Sequence, residues 1–441
     1  MPLIVAYDLN SVAMIDTFFN PSASLTTTVV FALALCASLL LKFWLAGRQI
    51  SHVARNRSAV PAYFAKKISL AAHQKAADYT IAKTRFGMIE LAWGAAITVC
   101  WTLLGGLSEL NQLLARLLGY GMLQQVTLLA AFFAISGVLD LPVTLYQTFV
   151  IEERFGFNKT SVQLWLLDFA KSLLLSALIG LPFIALVIWM MGATGPWWWL
   201  WVWGVLMGFN LLALLIYPSW IAPLFNKFQP LDDPQIKERV TQLMTRCGFT
   251  SNGFFVMDGS KRSAHANAYF TGFGASKRVV FYDTLLAQLS PAEVDAVLAH
   301  ELGHFKHQHV IKRIIGVFTV SLVGLSVLGW ICQQAWFFTG LGVVPNLVAA
   351  NNALALLLFM MVLPLLGTFI GPVFAQLSRR HEFEADGYAV AHTSGSALAG
   401  ALLKLFEDNA STLTPDPVYV AVYYSHPPAT ERLRRIFGTA H

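Results

Sequence analysis

The sequence predicts an all-α polytopic membrane protein with seven transmembrane helices and a smaller α+β unit in water. Three observations predict it. Of the 441 residues, 56% are hydrophobic and only 12% are charged, where an ordinary soluble domain carries about a quarter charged residues. Seven apolar segments each approach the ~20 residues that a helix needs to cross a bilayer. One long stretch between the fifth and sixth segments instead carries helix caps and short alternating runs of a soluble unit.

The apolar segments lie at about 28–46, 88–107, 122–148, 168–192, 196–217, 313–333 and 350–376. The first begins near Thr28 with no basic region before it and no small-residue cleavage signature after it. It therefore reads as a retained span and not as a signal peptide. The tryptophans of PWWWLWVW, 196–203, suit the water–lipid boundary of the fifth span. Lys and Arg set the orientation. Segment 1–27 has none, whereas the stretch between the first two spans holds Arg48, Arg55, Arg57, Lys66, Lys67, Lys75, Lys83 and Arg85. The 108–121 loop has only Arg116, and the 334–349 loop has none. This bias places the N-terminus outside and the C-terminus in the cytoplasm. The chain then divides into a membrane region 1–217, a cytoplasmic segment 218–312, spans six and seven at 313–376, and a cytoplasmic tail 377–441.

The net charge of +6 follows from basic loops beside an anionic leaflet. It points to membrane lipids as partners and gives no reason to invoke nucleic acid. Cys36, Cys100, Cys247 and Cys332 are widely spaced and suggest neither a disulfide frame nor a cysteine metal site.

Within 218–312, DDPQIKERVTQLMTRCG reads as a helix with Asp233 as N-cap, Pro234 in its first turn and Gly248 as its stop. GFFVMD, NAYFTGF and KRVVFYD read as three short strands. Ser290, Pro291 and Glu293 then start a helix with a capping box. That helix carries AHELGHFKHQH, 299–309.

His300 and His304 are four apart, so both rings leave one face of the helix. With Glu301 they form the H-E-x-x-H pattern of zinc hydrolases. Two imidazoles bind the metal, and the glutamate is offset so that it reaches the attacking water. Gly303 costs roughly 1 kcal/mol of helix stability against Ala, yet permits another element to approach closely. A catalytic zinc takes three protein ligands. SRRHEFEADGYAVAH, 378–392, offers Glu382 and Asp386 on one helix face, with Glu384 pointing the other way. Glu382 can bind the metal while Asp386 accepts the free N–H of a ligand histidine. His381 and His392 are rival ligands that lack such a partner. His307 lands near the ligand face and reads as a neighbour of the ligands or a solvated residue. His309 falls on the opposite side and reads as structural. Glu90 and Asp140, in or near spans, read as facing water or a partner.

H-E-L-G-H followed by E-F-E-A-D resembles the type I CAAX prenyl protease family of integral membrane zinc metalloproteases. IEERFGFNKTS at 151–161, NAYFTGF at 267–273, SHPPATERLRRI at 425–436 and the seven-span layout extend the resemblance over nearly the whole chain. It implies one zinc ion per chain held by His300, His304 and Glu382, with Glu301 as general base. It implies that His426 and Arg432 help to stabilise the oxyanion and the ligand carboxylate, and that Asn267 contacts substrate beside an edge strand. Arg432 also reads as an interfacial cation and His426 as a turn residue. The family's fold is a ring of seven helices around a large water-filled chamber, with the catalytic α+β domain at its cytoplasmic end. The implied activity is peptide-bond hydrolysis, with removal of a C-terminal tripeptide from prenylated proteins. The substrate is a peptide or protein, lipidated or not. A bacterial inner-membrane location fits the lack of an ER-retrieval signal in RIFGTAH; the ER membrane is the eukaryotic counterpart. Two other readings are an HtpX-like membrane quality-control protease and a non-enzymatic scaffold that holds zinc structurally. Oligomeric state is not encoded in any pattern of the sequence.

Overall fold

The structure, a computed structural model, describes residues 20–62, 64–249, 253–271 and 278–438. The N-terminal residues behind the expected outside location, the end of NAYFTGF and the final residues of RIFGTAH lie outside the described residues.

Helix α1 (Pro21–Asn56) is the first described element, with the Asn20 side chain accepting from the Ala23 N–H. Helix α2 (Leu70–Trp101) is capped by Ser69 and meets α3 (Gly106–Leu118) at a 48° bend, where Gly105 takes a left-handed φ of 80°. Helices α4 (Met122–Glu152), α5 (Val162–Ala193) and α6 (Gly195–Phe225) complete the first half. Among the described residues, six helices are long and apolar enough to cross a membrane, or seven when α2 and α3 count as one span. All seven segments expected from the sequence fall on these helices.

The basic stretch between the first two apolar segments spans 47–87. Most of it is helical, and only 57–69 separates α1 from α2. Hydropathy marks where lipid ends, not where hydrogen bonding ends. The 36 residues of α1 rise ~54 Å, well past a hydrocarbon core of ~30 Å. Side chains such as Leu40 at 69% and Trp220 at 75% exposed need an apolar solvent, which lipid supplies.

Next comes the sheet-bearing part. Strand β1 (Phe228–Pro230) leads to helix α7 (Pro234–Arg246), whose Asp233 cap accepts from the N–H groups of Gln235 and Ile236. Strands β2 (Phe254–Met257), β3 (Ala268–Thr271) and β4 (Arg278–Tyr282) follow. The sheet order is β1-β2-β4-β3, with β2 parallel to β4 and both outer pairs antiparallel. β1 was not expected, because FQP is too short to alternate and ends in proline. Proline fits there because β1 is an edge strand. β3 is the other edge.

Helix α8 (Asp283–Gln288) precedes α9 (Pro291–Lys306), which starts at the expected Ser290–Glu293 capping box. Helices α10 (His309–Ile331) and α11 (Ala335–Gly340) lead to α12 (Asn352–His392). Helices α13 (Gly395–Asp408), α14 (Pro417–Tyr423) and α15 (Ala429–Phe437) end the chain. The 41 residues of α12, with Pro364 and Pro372 inside it, rise ~60 Å, so one continuous helix joins its apolar first half to Glu382 and Asp386. Buried Leu243, Phe281, Leu298, Leu302, Leu402 and Leu433 form one core around α9. Leu128, Leu328, Leu354 and Leu358 belong to a second core among the membrane helices.

Candidate active site

The site forms where α9 lies against α12. Gly303 makes this possible: a Cβ there would stand 2.9 Å from Ala385 Cα and 3.1 Å from Tyr388 Cβ. His300 and His304 project from α9 toward Glu382, one turn before Asp386 on α12. The Nε2 atoms of the two histidines are 3.2 Å apart. His300 Nε2 is 3.5 Å from Glu382 Oε2, and His304 Nε2 is 3.4 Å from Glu382 Oε1. One ligand atom from each residue falls within 4.8 Å of the others.

The donor chemistry fits a metal. Asp386 Oδ1 lies 2.9 Å from His300 Nδ1. A carboxylate can only accept, so Nδ1 carries the proton and Nε2 turns a lone pair inward. Glu382 Oε2 is buried with no hydrogen-bond partner. Such converging lone pairs are unfavourable unless a cation lies between them. Burial opposes positive charge on His300, but Asp386 and Glu382 favour it and raise the ring's pKa to about 9, and the same carboxylates would favour a metal cation.

The other expected residues surround this group. Burial raises the Glu301 carboxyl above the usual carboxylate range, against the pull of His300 and His304. A more basic carboxylate suits proton abstraction near neutral pH. Arg432, buried on α15, donates through Nε and Nη2 to Asp386, and its Nη1 lies 3.8 Å from Glu382 Oε2. Burial opposes its charge, yet Asp386 raises its pKa. His426 Nε2 is 3.3 Å from Glu382 Oε1. Solvent reaches this ring, but the surrounding protein lowers its pKa against the attraction of Glu382.

Glu301, His304, Glu382 and His426 line a cavity of about 1080 Å³. Its walls continue along α10 and α12 through Gly316, Val317, Pro364, Gly367 and Phe374. Asn267 is not among its lining residues. It lies exposed just before β3, with its Oδ1 2.8 Å from the Ala268 N–H. Tyr269, two residues on, does line the cavity and is the residue that sequence reading missed. Glu90 and Asp140 are not among the lining residues either.

The structure corrects the reading of His309. Helix α9 stops at Lys306, and Gln308 turns the chain with a left-handed φ of 56°. His309 therefore folds back, 5% exposed, with Nδ1 2.9 Å from His304 Nδ1 and Nε2 2.8 Å from Glu384 Oε2. A continuous helix through FKHQH would have carried it to the far side. His307 stays exposed and outside the metal-competent group. His381 stacks on His309, with ring centroids 4.0 Å apart, and His392 Nδ1 is 2.9 Å from the Tyr388 carbonyl oxygen. Neither joins Glu382 in that group.

The long apolar helices and the His-His-Glu group beside Glu301 define a multi-pass membrane metalloprotease. Residues 49–227 match the family model described as CAAX prenyl protease N-terminal, five membrane helices, and residues 230–440 match Peptidase family M48. The chain belongs to the CAAX prenyl protease 1 family of M48 metalloproteases. It is 37% identical to the CAAX prenyl protease 1 homolog of Arabidopsis thaliana, over 72% of this chain and 74% of that protein. It is 38% identical to CAAX prenyl protease 1 of Saccharomyces cerevisiae, over 70% and 71% respectively. The crystal structure of S. mikatae Ste24p superposes with a TM-score of 0.87 at 30% identity, covering 93% of this chain and 99% of that one. The five-helix N-terminal match favours this family over the quality-control and scaffold readings.

Proposed function

We propose that the chain is a zinc endopeptidase that cleaves near the C-terminus of lipidated peptides, with His300, His304 and Glu382 as ligands. The convergence of two imidazole Nε2 atoms with a buried Glu382 oxygen that accepts no hydrogen bond carries the reading. Zinc bound there supplies Lewis acidity. Glu301 takes a proton from the attacking water and later delivers it to the leaving amine. His426 donates an N–H to the oxygen on which negative charge develops. Arg432 neutralises the Asp386 and Glu382 carboxylates and so holds the pair in place. The outer edge of β3 receives the substrate as an added strand, with Tyr269 facing the cavity and Asn267 at the strand's start.

The cavity walls support a lipidated substrate. Glycines at 316, 367 and 371 leave room beside Val317, Phe374 and Leu377, as an isoprenoid chain requires. The Lys and Arg distribution supports catalysis on the cytoplasmic side, with the N-terminus outside. The chain divides functionally into the membrane region 1–217, catalytic segments 218–312 and 377–441, and the joining spans 313–376.

The test is cleavage of matched prenylated and unprenylated C-terminal peptides by detergent-purified protein. Glu301→Gln is expected to retain zinc and lose nearly all hydrolysis, and a chelator to abolish it. Near-full activity in Glu301→Gln would sink the assignment. Equal cleavage of both peptides would remove the lipid from it.

A further inference from the structure

We propose that His309 and Glu384 are positioning residues that fix which nitrogen His304 presents to the metal; this rests on His304 being a ligand. The argument follows the protons. Glu384 is half exposed, and as a carboxylate it only accepts. His309 Nε2, 2.8 Å away, therefore carries a hydrogen. Its Nδ1 faces His304 Nδ1 at 2.9 Å, and two N–H groups cannot point at each other, so with Nε2 donating to Glu384 the His309 Nδ1 offers its lone pair and His304 Nδ1 donates to it. His304 is thereby left with its lone pair on Nε2, the atom beside His300 Nε2 and Glu382 Oε1. Asp386 sets His300 in one step, and Glu384 sets His304 in two.

The backbone is shaped for this contact. Gln308 occupies the left-handed region, which a residue with a β-carbon rarely adopts. The turn brings His309 back over His304, and stacking on His381 holds the ring. Both imidazoles of the metal-competent group thus answer to carboxylates on α12, two residues apart in sequence.

The test measures zinc affinity by chelator competition on the full chain in detergent, at one fixed pH, alongside thermal stability. His309→Gln keeps an acceptor for His304 and a donor for Glu384. His309→Phe keeps a ring that can stack on His381 but offers no acceptor. Phe is expected to weaken zinc about 10–100-fold, the usual scale for such outer partners, while Gln stays within a few-fold of wild type. Glu384→Ala is expected to weaken zinc as well, and it carries the test alone if His309→Phe does not fold. Wild-type zinc affinity in His309→Phe or in Glu384→Ala overturns the proposal, and so does Gln binding as weakly as Phe. His304→Ala separates the two levels. If it binds zinc like wild type, the ligand assignment has failed and the relay falls with it.

Discussion

Arg432 shows what a single buried cation does at this site. It donates to both oxygens of Asp386 and stands near Glu382, three charges with little solvent. Removing one partner of a buried ion pair strands the other charge and costs about 3–5 kcal/mol. Arg432→Met is thus expected to lower the melting temperature by several degrees. The double variant Arg432→Met with Asp386→Asn is expected to recover part of that loss. A double variant with strictly additive losses would show that the pair is not coupled. Sequence placed Arg432 here only by resemblance, since ERLRR reads equally as an interfacial basic run. His300, His304 and Glu301 needed no such help, because a helical repeat fixes their relative directions.

At the scale of elements, the decisive contact is α9 on α12. Ala at position 303 is favoured by helix propensity by roughly 1 kcal/mol. Yet its Cβ would press on Ala385 and Tyr388, and overpacking costs about 1–3 kcal/mol. Gly303→Ala is therefore expected to push the helices apart, draw His304 from Glu382 and weaken zinc in a competition titration. Unchanged affinity with higher thermal stability would mean that propensity outweighs packing. Gly303 was legible as a close-approach glycine, but the element it approaches was not. The helix stop before His309 was equally hidden. FKHQH contains no glycine or proline, and the contacts of His309 to His304, Glu384 and His381 help to balance a left-handed Gln308.

Across the whole molecule, the first described helix is fastened to a helix near residue 420. Asp416 caps α14, accepting from the N–H groups of Val418 and Tyr419 at 3.0 Å. It also pairs with Arg48 of α1 at 2.9 Å, while its own N–H donates to Gln49 Oε1. At the other end of α14, Arg379 of α12 donates to the carbonyl oxygens of Ala421 and Tyr424. The segment leading to His426 is so held between the first and last long helices. Burial works against the Asp416 charge, but Arg48 and the backbone N–H groups bring its pKa below the ordinary value. A depressed carboxylate stabilises the fold above its unfolded pKa of ~3.9 and loses that contribution as pH falls through the folded value. The melting-temperature gap between wild type and Asp416→Asn is expected to be largest near neutral pH and to shrink below about pH 4. A gap that holds constant through acid would remove the ion pair from the explanation.

The seven apolar segments, the capped helix and the H-E-x-x-H face are local properties, set by neighbours within a few turns, so sequence alone determined them. The return of His309, the strand FQP and the α14 fastening depend on contacts between distant segments. Tertiary structure alone decided these, because no local period records which two helix faces will meet.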